Sequence, residues 1–177
     1  MAFDAFIIFK NPGAGAKAVE GETRDKDMSK EKAFECGSFD FGVENTLNIG
    51  SKSGGAGSGK ATFKEFTIEK DTDAGSPNLF LACCNGGHYG DVELILRKSG
   101  GDASASGIPY LKFSFKLVAI KDITWNGSDG DEACKETIIF EYGAIKVEYF
   151  PQKPDGSVGA PKTQMWSRVL NRDQFEV

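Results

Sequence analysis

The stretch YLKFSFKLVAI, residues 110–120, decides the fold class of this chain. Its apolar and polar side chains alternate, and the apolar ones that set the pattern are Leu111, Phe113, Phe115 and Leu117. Successive side chains of a β-strand point to opposite faces, so a period of two predicts a strand with one face on a core and the other in water. The stretch therefore favours a mainly β fold.

The same signal recurs along the chain, in the segments 34–43, 62–69, 91–98, 137–142 and 144–150. In the first of these segments the phase of the alternation changes around Gly37, which predicts a bulge that bends the strand. Gly143 separates the last two segments, and we interpret it as a bend rather than a hairpin turn. Bent strands are typical of barrels.

One segment has the signature of a helix, SPNLFLACCNGG at residues 76–87. Ser76 is a suitable N-cap, Pro77 suits the first helical position, and Gly86 suits a left-handed stop. We therefore predict a two-sheet β-barrel or sandwich with one short flanking α-helix, at about residues 77–85. The whole chain, 1–177, is expected to form a single domain with an extended loop at about 45–60 and a short C-terminal tail at about 160–177.

Charge and hydropathy exclude several classes of function. The formal net charge of −5 and a sequence pI near 5.0 argue against a nucleic-acid groove or an anionic membrane surface as the partner. No stretch approaches the ~20 apolar residues of a membrane span. The N-terminal stretch MAFDAFIIF lacks the basic region and the cleavage site of a secretory signal, so we expect the chain to fold in the cytoplasm.

The segment GGAGSGKA, residues 54–61, resembles a phosphate-binding loop. That motif requires a Ser or Thr after the lysine to hold magnesium, but the residue after Lys60 is Ala61. The residues that follow, 62–69, have strand spacing instead of the helix that the motif needs. We therefore interpret the segment as a glycine-serine loop between two strands.

Two further clusters invite a chemical interpretation. Cys83 and Cys84 lie near the one histidine, His88, but adjacent residues of a helix point about 100° apart and do not easily share a tetrahedral ion. The acidic turn at 129–132 lacks the spaced oxygen ligands of a calcium loop. We predict no catalytic residue, no cofactor and no metal site.

Several blocks of the sequence occur together in the order that one known family shows. They are MAFDAF (1–6), GET (21–23), FECGSFDFGV (34–43), FKEFTIEK (63–70), the helix block through His88, RKSGG (97–101), FEYGAIK (140–146) and Trp166. In this order they resemble the haemolysin-coregulated protein (Hcp) family, the inner-tube proteins of the bacterial type VI secretion system. The resemblance covers nearly the whole chain. Residues 11–18 look like an insertion, which we expect to alter one rim of a ring.

The resemblance implies a structural protein and not an enzyme. It implies a homohexameric ring with an open lumen, and rings that stack into a tube. The implied partners are other copies of the chain, a spike protein at the tip, a contractile sheath and baseplate, and effector cargo in the lumen. The protein is then made in the bacterial cytoplasm and secreted without a cleaved signal.

We further predict that the glycine-serine loop is an arm that contacts the neighbouring ring. Its residues are Ser51, Lys52, Ser53, Gly54, Gly55, Ala56, Gly57, Ser58, Gly59 and Lys60. The alternative from another class of function is a closed β-barrel that binds a small apolar ligand in its interior. Mass separates the two hypotheses, because a ligand carrier can be a monomer whereas a tube protein forms a ring.

Overall fold

The computed structural model describes residues 3–46, 60–98 and 107–177. Their regular elements follow in chain order. They are β1 (Phe3–Pro12), β2 (Phe34–Glu35), β3 (Ser38–Asp40), β4 (Val43–Asn45), β5 (Ala61–Phe63), β6 (Phe66–Asp71), α1 (Ser76–Asn85), β7 (His88–Lys98), β8 (Ile108–Asn126), β9 (Lys135–Tyr149) and β10 (Lys162–Ser167). The predicted mainly β fold with one short helix is confirmed.

Most strands belong to one antiparallel sheet, ordered β2-β1-β7-β8-β9-β6-β3, and β4 and β5 form a separate hairpin. The two end strands of the large sheet, β2 and β3, are separated in sequence only by Cys36 and Gly37. Cys36 N donates to Ala5 O at 2.9 Å, and Gly37 N donates to Glu69 O at 2.7 Å. The bend predicted at Gly37 therefore joins both ends of the sheet, which curls into a barrel.

The long strand β9 is where the sheet divides. One edge of β9 pairs with β8, and the other edge is shared by β6, up to Phe140, and β10, from Ala144. The two partners separate around Gly143, so the chain continues through this glycine as a single bent strand, as predicted. This division gives the domain its two layers.

Aromatic rings fill the space between the layers. Phe66 lies 4.6 Å from Phe115 and 4.7 Å from Phe140, measured between ring centroids, and all three side chains are fully buried. Tyr142 extends the cluster at 5.0 Å from Phe115. Edge-to-face and tilted arrangements such as these add to the stabilisation that burial of aromatic area provides.

The long alternation that predicted β8 breaks at one position. Leu117 was expected on the core face with Phe115, but it has a φ of 52° and its side chain is 43% exposed, while Val118 and Ile120 are buried. Pairing with β7 and β9 keeps its register across Leu117, so the left-handed backbone there reverses the phase of the strand without an extra residue. The strand thus turns from one layer to the other at Leu117, opposite the bend in β9.

Helix α1 differs from the prediction at its start. Gly75 is the N-cap, and Ser76 lies inside the helix. The Ser76 hydroxyl instead accepts from Asp73 N at 3.0 Å and from Lys70 Nζ at 3.2 Å, because a buried ammonium needs acceptors more than a helix end needs a cap. The predicted stop is confirmed, since Gly86 has a φ of 70°. No helix among the described residues has the length and apolar character needed to cross a bilayer.

Two segments without long strands pack onto this frame. The predicted insertion contacts α1, where Asn78 Nδ2 donates to Ala18 O at 2.8 Å, and the start of β7, where Gly13 N donates to His88 O at 2.8 Å. The C-terminal segment contributes β10 and then folds back over the bend. A Cβ at Gly143 would lie 2.7 Å from Val177 Cγ1, so the last residue contacts the bend directly.

Candidate assembly surfaces

Of the ten residues predicted to form the inter-ring contact, Ser51 to Gly59 lie outside the described residues, and Lys60 is described and exposed. The strands on either side of this loop form the hairpin β4–β5, in which Val43 pairs with Phe63 and Asn45 with Ala61. The chain after Lys60 thus enters a strand instead of the helix that a phosphate-binding loop requires.

The base of the hairpin is held against the barrel. Lys64 N donates to Gly42 O at 2.8 Å, and the Tyr142 hydroxyl donates to Lys64 O at 3.3 Å. The Phe63 and Tyr142 rings meet edge to face, with their centroids 6.4 Å apart. Burial in this contact raises the pKa of Tyr142 to about 12. The orientation of the hairpin is therefore set by the bend region of the sheet.

An open groove of about 670 Å³ lies between this hairpin and the C-terminal segment. Its lining is mostly apolar and includes Lys60, Phe63, Leu117, Tyr142, Arg168 and Val169. We call it the Leu117 groove. Two of its apolar side chains are largely in solvent, since Leu117 is 43% exposed and Val169 is 57% exposed. The groove exists because β6 and β10 separate on β9, which leaves a gap between the hairpin and the C-terminal segment.

Arg168 occupies the middle of the groove. Its Nη1 donates to Glu141 Oε2 at 2.6 Å and to Tyr142 O at 2.9 Å. The guanidinium also lies 4.8 Å from the centroid of the Tyr142 ring and 5.7 Å from that of Phe63. A planar cation held by a carboxylate and two aromatic faces has a fixed orientation. It links the hairpin to the C-terminal segment.

A second exposed apolar surface lies at the far end of β8. Phe80 of α1 is 48% exposed, Trp125 of β8 is 40% exposed, and their ring centroids are 5.9 Å apart. The Trp125 indole donates from Nε1 to Glu136 Oε1 at 2.8 Å, which fixes the ring. The exposed turn 126–134 follows and carries Asp129, Asp131 and Glu132. We call Phe80, Trp125 and this turn the Trp125 knob.

The residues considered for metal or thiol chemistry do not come together. Cys83 Sγ lies 3.7 Å from Lys121 O, Cys84 is exposed on α1, and His88 begins β7 beside Gly13. Throughout residues 3–46, 60–98 and 107–177, no three His, Cys, Asp or Glu side chains are grouped as metal ligands would be. Cys36 is buried, and burial raises the pKa of its thiol to about 11.

Neither of these two surfaces was identified from the sequence. Leu117 continues an alternation that assigns it to the core, and nothing local distinguishes it from Phe115. Trp125 and Phe80 are separated by a strand and a loop, so their contact is a tertiary feature. The acidic turn was noted as a calcium candidate, and its position beside two exposed aromatic rings is visible only in the fold.

Comparisons with known proteins agree with this architecture. The family described as "Type VI secretion system effector, Hcp" matches residues 9–149. Protein hcp1 of Pseudomonas aeruginosa is 31% identical over 109 residues, which are 61% of this chain and 65% of that protein. The match to this relative thus covers slightly less than two thirds of its length.

Solved structures show the same fold over nearly the whole chain. One described as a type six secretion system protein has a TM-score of 0.83 and 27% identity, covering 98% of this chain and all of its own. Hcp1 from Salmonella typhimurium has a TM-score of 0.72 at 24% identity, again over 98% of this chain and all of its own. Because the family match covers well over half of the sequence, this chain belongs to the Hcp family of the type VI secretion system.

Proposed function

We propose that this chain is a structural subunit of the inner tube of a type VI secretion system. In this proposal, copies of the chain close into hexameric rings with an open lumen, and the rings stack into a tube. The observation that carries the proposal is the family match over residues 9–149, combined with agreement of the fold over 98% of the chain.

The surface of the domain supports assembly with other copies of the chain. A closed ring needs two different patches on each subunit, because a head-to-tail contact joins unlike surfaces. The Leu117 groove and the Trp125 knob are two such unlike patches, and each exposes large apolar side chains. Exposed apolar patches on a folded domain are typical of interaction sites.

Stacking of the rings is assigned to the glycine-serine loop. The hairpin β4–β5 brings the two ends of this loop side by side on the barrel, which supports a contact made by the segment that joins them. Ordering a glycine-rich arm costs roughly 1 to 2 kcal/mol per residue, so we expect stacking to be weak and reversible. Deletion of Gly54 to Gly59 is expected to leave rings intact and to reduce tube length in electron micrographs. Tubes of unchanged length would contradict this role.

The remaining partners follow from the same proposal. A spike protein at the tip, a sheath and baseplate around the tube, and effectors in the lumen are the contacts that a tube subunit makes. The chain is then synthesised in the bacterial cytoplasm and leaves the cell through the secretion system, without a cleaved signal peptide. Its function is mechanical and not enzymatic.

The alternative function, binding of a small apolar ligand inside a barrel, is disfavoured by how the interior is filled. Phe66, Phe115 and Phe140 occupy the centre at ring distances of 4.6 to 5.9 Å. Such packing leaves no room for a ligand between the layers without displacing a ring. The Leu117 groove is open to solvent and partly polar, which fits a protein contact better than an enclosed ligand.

Mass in solution tests the proposal. Purified protein is analysed by size exclusion with light scattering, and the main peak is imaged by electron microscopy. We expect a ring of about six subunits, against 19.1 kDa for one chain. A monodisperse monomer at every concentration would contradict the tube function and return the ligand-binding alternative to consideration.

A further inference from the structure

We propose that the Trp125 knob of one copy docks into the Leu117 groove of the next copy, and that this contact closes the ring. The inference rests on the proposed tube function and names the surfaces that such a ring uses. The occupant of the groove is thus a second copy of this chain, contributing its aromatic pair and its acidic turn.

The two surfaces hold most of the exposed apolar side chains in the described part of the chain. Nine large hydrophobic residues are at least 40% exposed there, and six of them lie in the knob or in or beside the groove. They are Phe80 and Trp125 in the knob, and Leu117, Val169, Leu170 and Val177 at the groove. Interfaces are built around such residues, with aromatic anchors at their centres.

Charge is complementary between the two surfaces. The turn 126–134 carries Asp129, Asp131 and Glu132 and contains no Lys or Arg. The groove is lined by Lys60 and Arg168 against the single carboxylate Glu141. An acidic knob approaching this groove meets a net positive charge, which orients the encounter and disfavours docking of two like surfaces.

The positions of the surfaces fit a head-to-tail contact. Trp125 follows Leu117 by eight positions in β8, which is about 26 Å of strand at the usual rise. The knob therefore cannot fill the groove of its own chain, and a knob docked in the groove of the next copy leaves that copy's knob available for a third. Repeated knob-to-groove docking gives either a closed ring or an open filament.

The side chains that make the contact are also preorganised in the free subunit. The Trp125 indole is held by its hydrogen bond to the buried Glu136, and Arg168 is held by Glu141 and Tyr142. Groups fixed in the free subunit lose little conformational freedom on binding, so the contact gains affinity from this order.

Charge reversal tests the docking without disturbing the core. The knob variant Asp129→Lys/Glu132→Lys and the groove variant Lys60→Glu/Val169→Asp change exposed side chains only. We expect each variant to raise the concentration needed for ring formation at least tenfold, measured by light scattering and mass photometry. The control Lys153→Glu reverses an exposed charge outside both surfaces and is expected to form rings normally. Circular dichroism and melting temperature check that each variant is folded.

Mixing the two variants, and combining their four substitutions in one chain, make the test specific. A folded knob variant and a folded groove variant, mixed in equal amounts, retain one intact knob and one intact groove. The altered knob and the altered groove are also complementary in charge, so the mixture should form rings of alternating variants, at about six times the 19.1 kDa of one chain, although neither variant does so alone. A chain carrying all four substitutions pairs a basic knob with an acidic groove and should recover rings.

Rings that form normally from either variant would overturn the docking while leaving the tube function in place. So would a mixture that forms no rings, or failure of the four-substitution chain to recover them. A wild-type chain that never forms rings would instead contradict the tube function itself. The two failures are therefore distinguishable.

Discussion

Removal of the buried cation Lys70 should destabilise the domain more than any other single charge change that we consider. The Lys70 and Glu136 side chains are both 0% exposed, and Lys70 Nζ lies 3.1 Å from Glu136 Oε2 and 3.0 Å from Asp73 Oδ1. The ammonium also donates to Asp71 O at 2.8 Å. The substitution Lys70→Met keeps the length of the side chain but leaves two carboxylates without their cation.

The size of the effect follows from this burial. Removing one partner of a buried ion pair costs roughly 3 to 5 kcal/mol, because the remaining charge stays out of water without compensation. For a domain of this size, about 1 kcal/mol lowers the melting temperature by roughly 2 to 4 °C. The expected loss for Lys70→Met is therefore about 6 to 20 °C. The double variant Lys70→Met/Glu136→Gln removes both charges and keeps an acceptor for the Trp125 indole, so it should recover part of that loss.

Urea unfolding followed by circular dichroism measures these free energies. All variants are compared at one protein concentration, since assembly adds to apparent stability. The groove variant Lys60→Glu/Val169→Asp provides a background in which the subunit is expected to be monomeric. The reasoning would be refuted if Lys70→Met lost less than about 1 kcal/mol, or if the double variant were no more stable than the single one.

Three other perturbations test separate parts of the structure. Arg97 Nη2 lies 2.5 Å from Asp25 Oδ2 and, with its hydrogen bonds, lowers the pKa of that carboxyl to about 2 from an ordinary value of 3.8. The pair should therefore stabilise the fold above about pH 4 and lose that contribution as the pH falls toward 2. Asp25→Asn should lower the melting temperature at pH 7, and its melting temperature should fall less between pH 5 and pH 2.5 than that of the wild type. An equal fall in both proteins would argue against this pair. A Cβ at Gly21 would lie 2.2 Å from the Ala33 carbonyl oxygen, whereas one at Gly127 would meet only Cys134 Sγ at 3.7 Å. We expect Gly21→Ala to cost about 1 to 3 kcal/mol in urea unfolding and Gly127→Ala to be nearly neutral, and equal costs would contradict the close approach. When the protein is alkylated at pH 8 and analysed by mass spectrometry, Cys36 should react only after unfolding, because burial raises the pKa of its thiol to about 11. The exposed Cys84 and Cys134 serve as internal controls. Labelling of Cys36 as rapid as theirs would contradict its burial.

Local patterns in the sequence were reliable where they depended on a few neighbouring residues. The strand at 110–120, the helix stop at Gly86 and the bends at Gly37 and Gly143 all appear in the structure, although Ser114 on the face predicted to be wet is buried. Each is decided by backbone conformation or by which face of one element meets the core. Such properties depend on residues that are close in sequence, so they can be predicted without knowing what packs against the element.

The position of Leu117 shows why the same reasoning fails further on. Its side chain continues the apolar alternation of Phe113 and Phe115, yet it is 43% exposed and its φ is 52°. The reversal of phase there depends on β9 bending at Gly143, 26 positions later in the chain. The buried pair of Lys70 and Glu136 is likewise invisible locally, since the alternating face of a strand does not reveal which distant charge lies opposite.

By itself, then, the sequence determined the strand content, the single helix, two of the bends and, through its ordered blocks, the family. Only the tertiary structure decided how β9 divides its edge between β6 and β10, and with it the Leu117 groove. It also decided that Phe80 and Trp125 meet beside an acidic turn at the C-terminal end of β8. The physical reason is that secondary structure follows short-range periodicity, whereas a surface is made by residues brought together from distant parts of the chain.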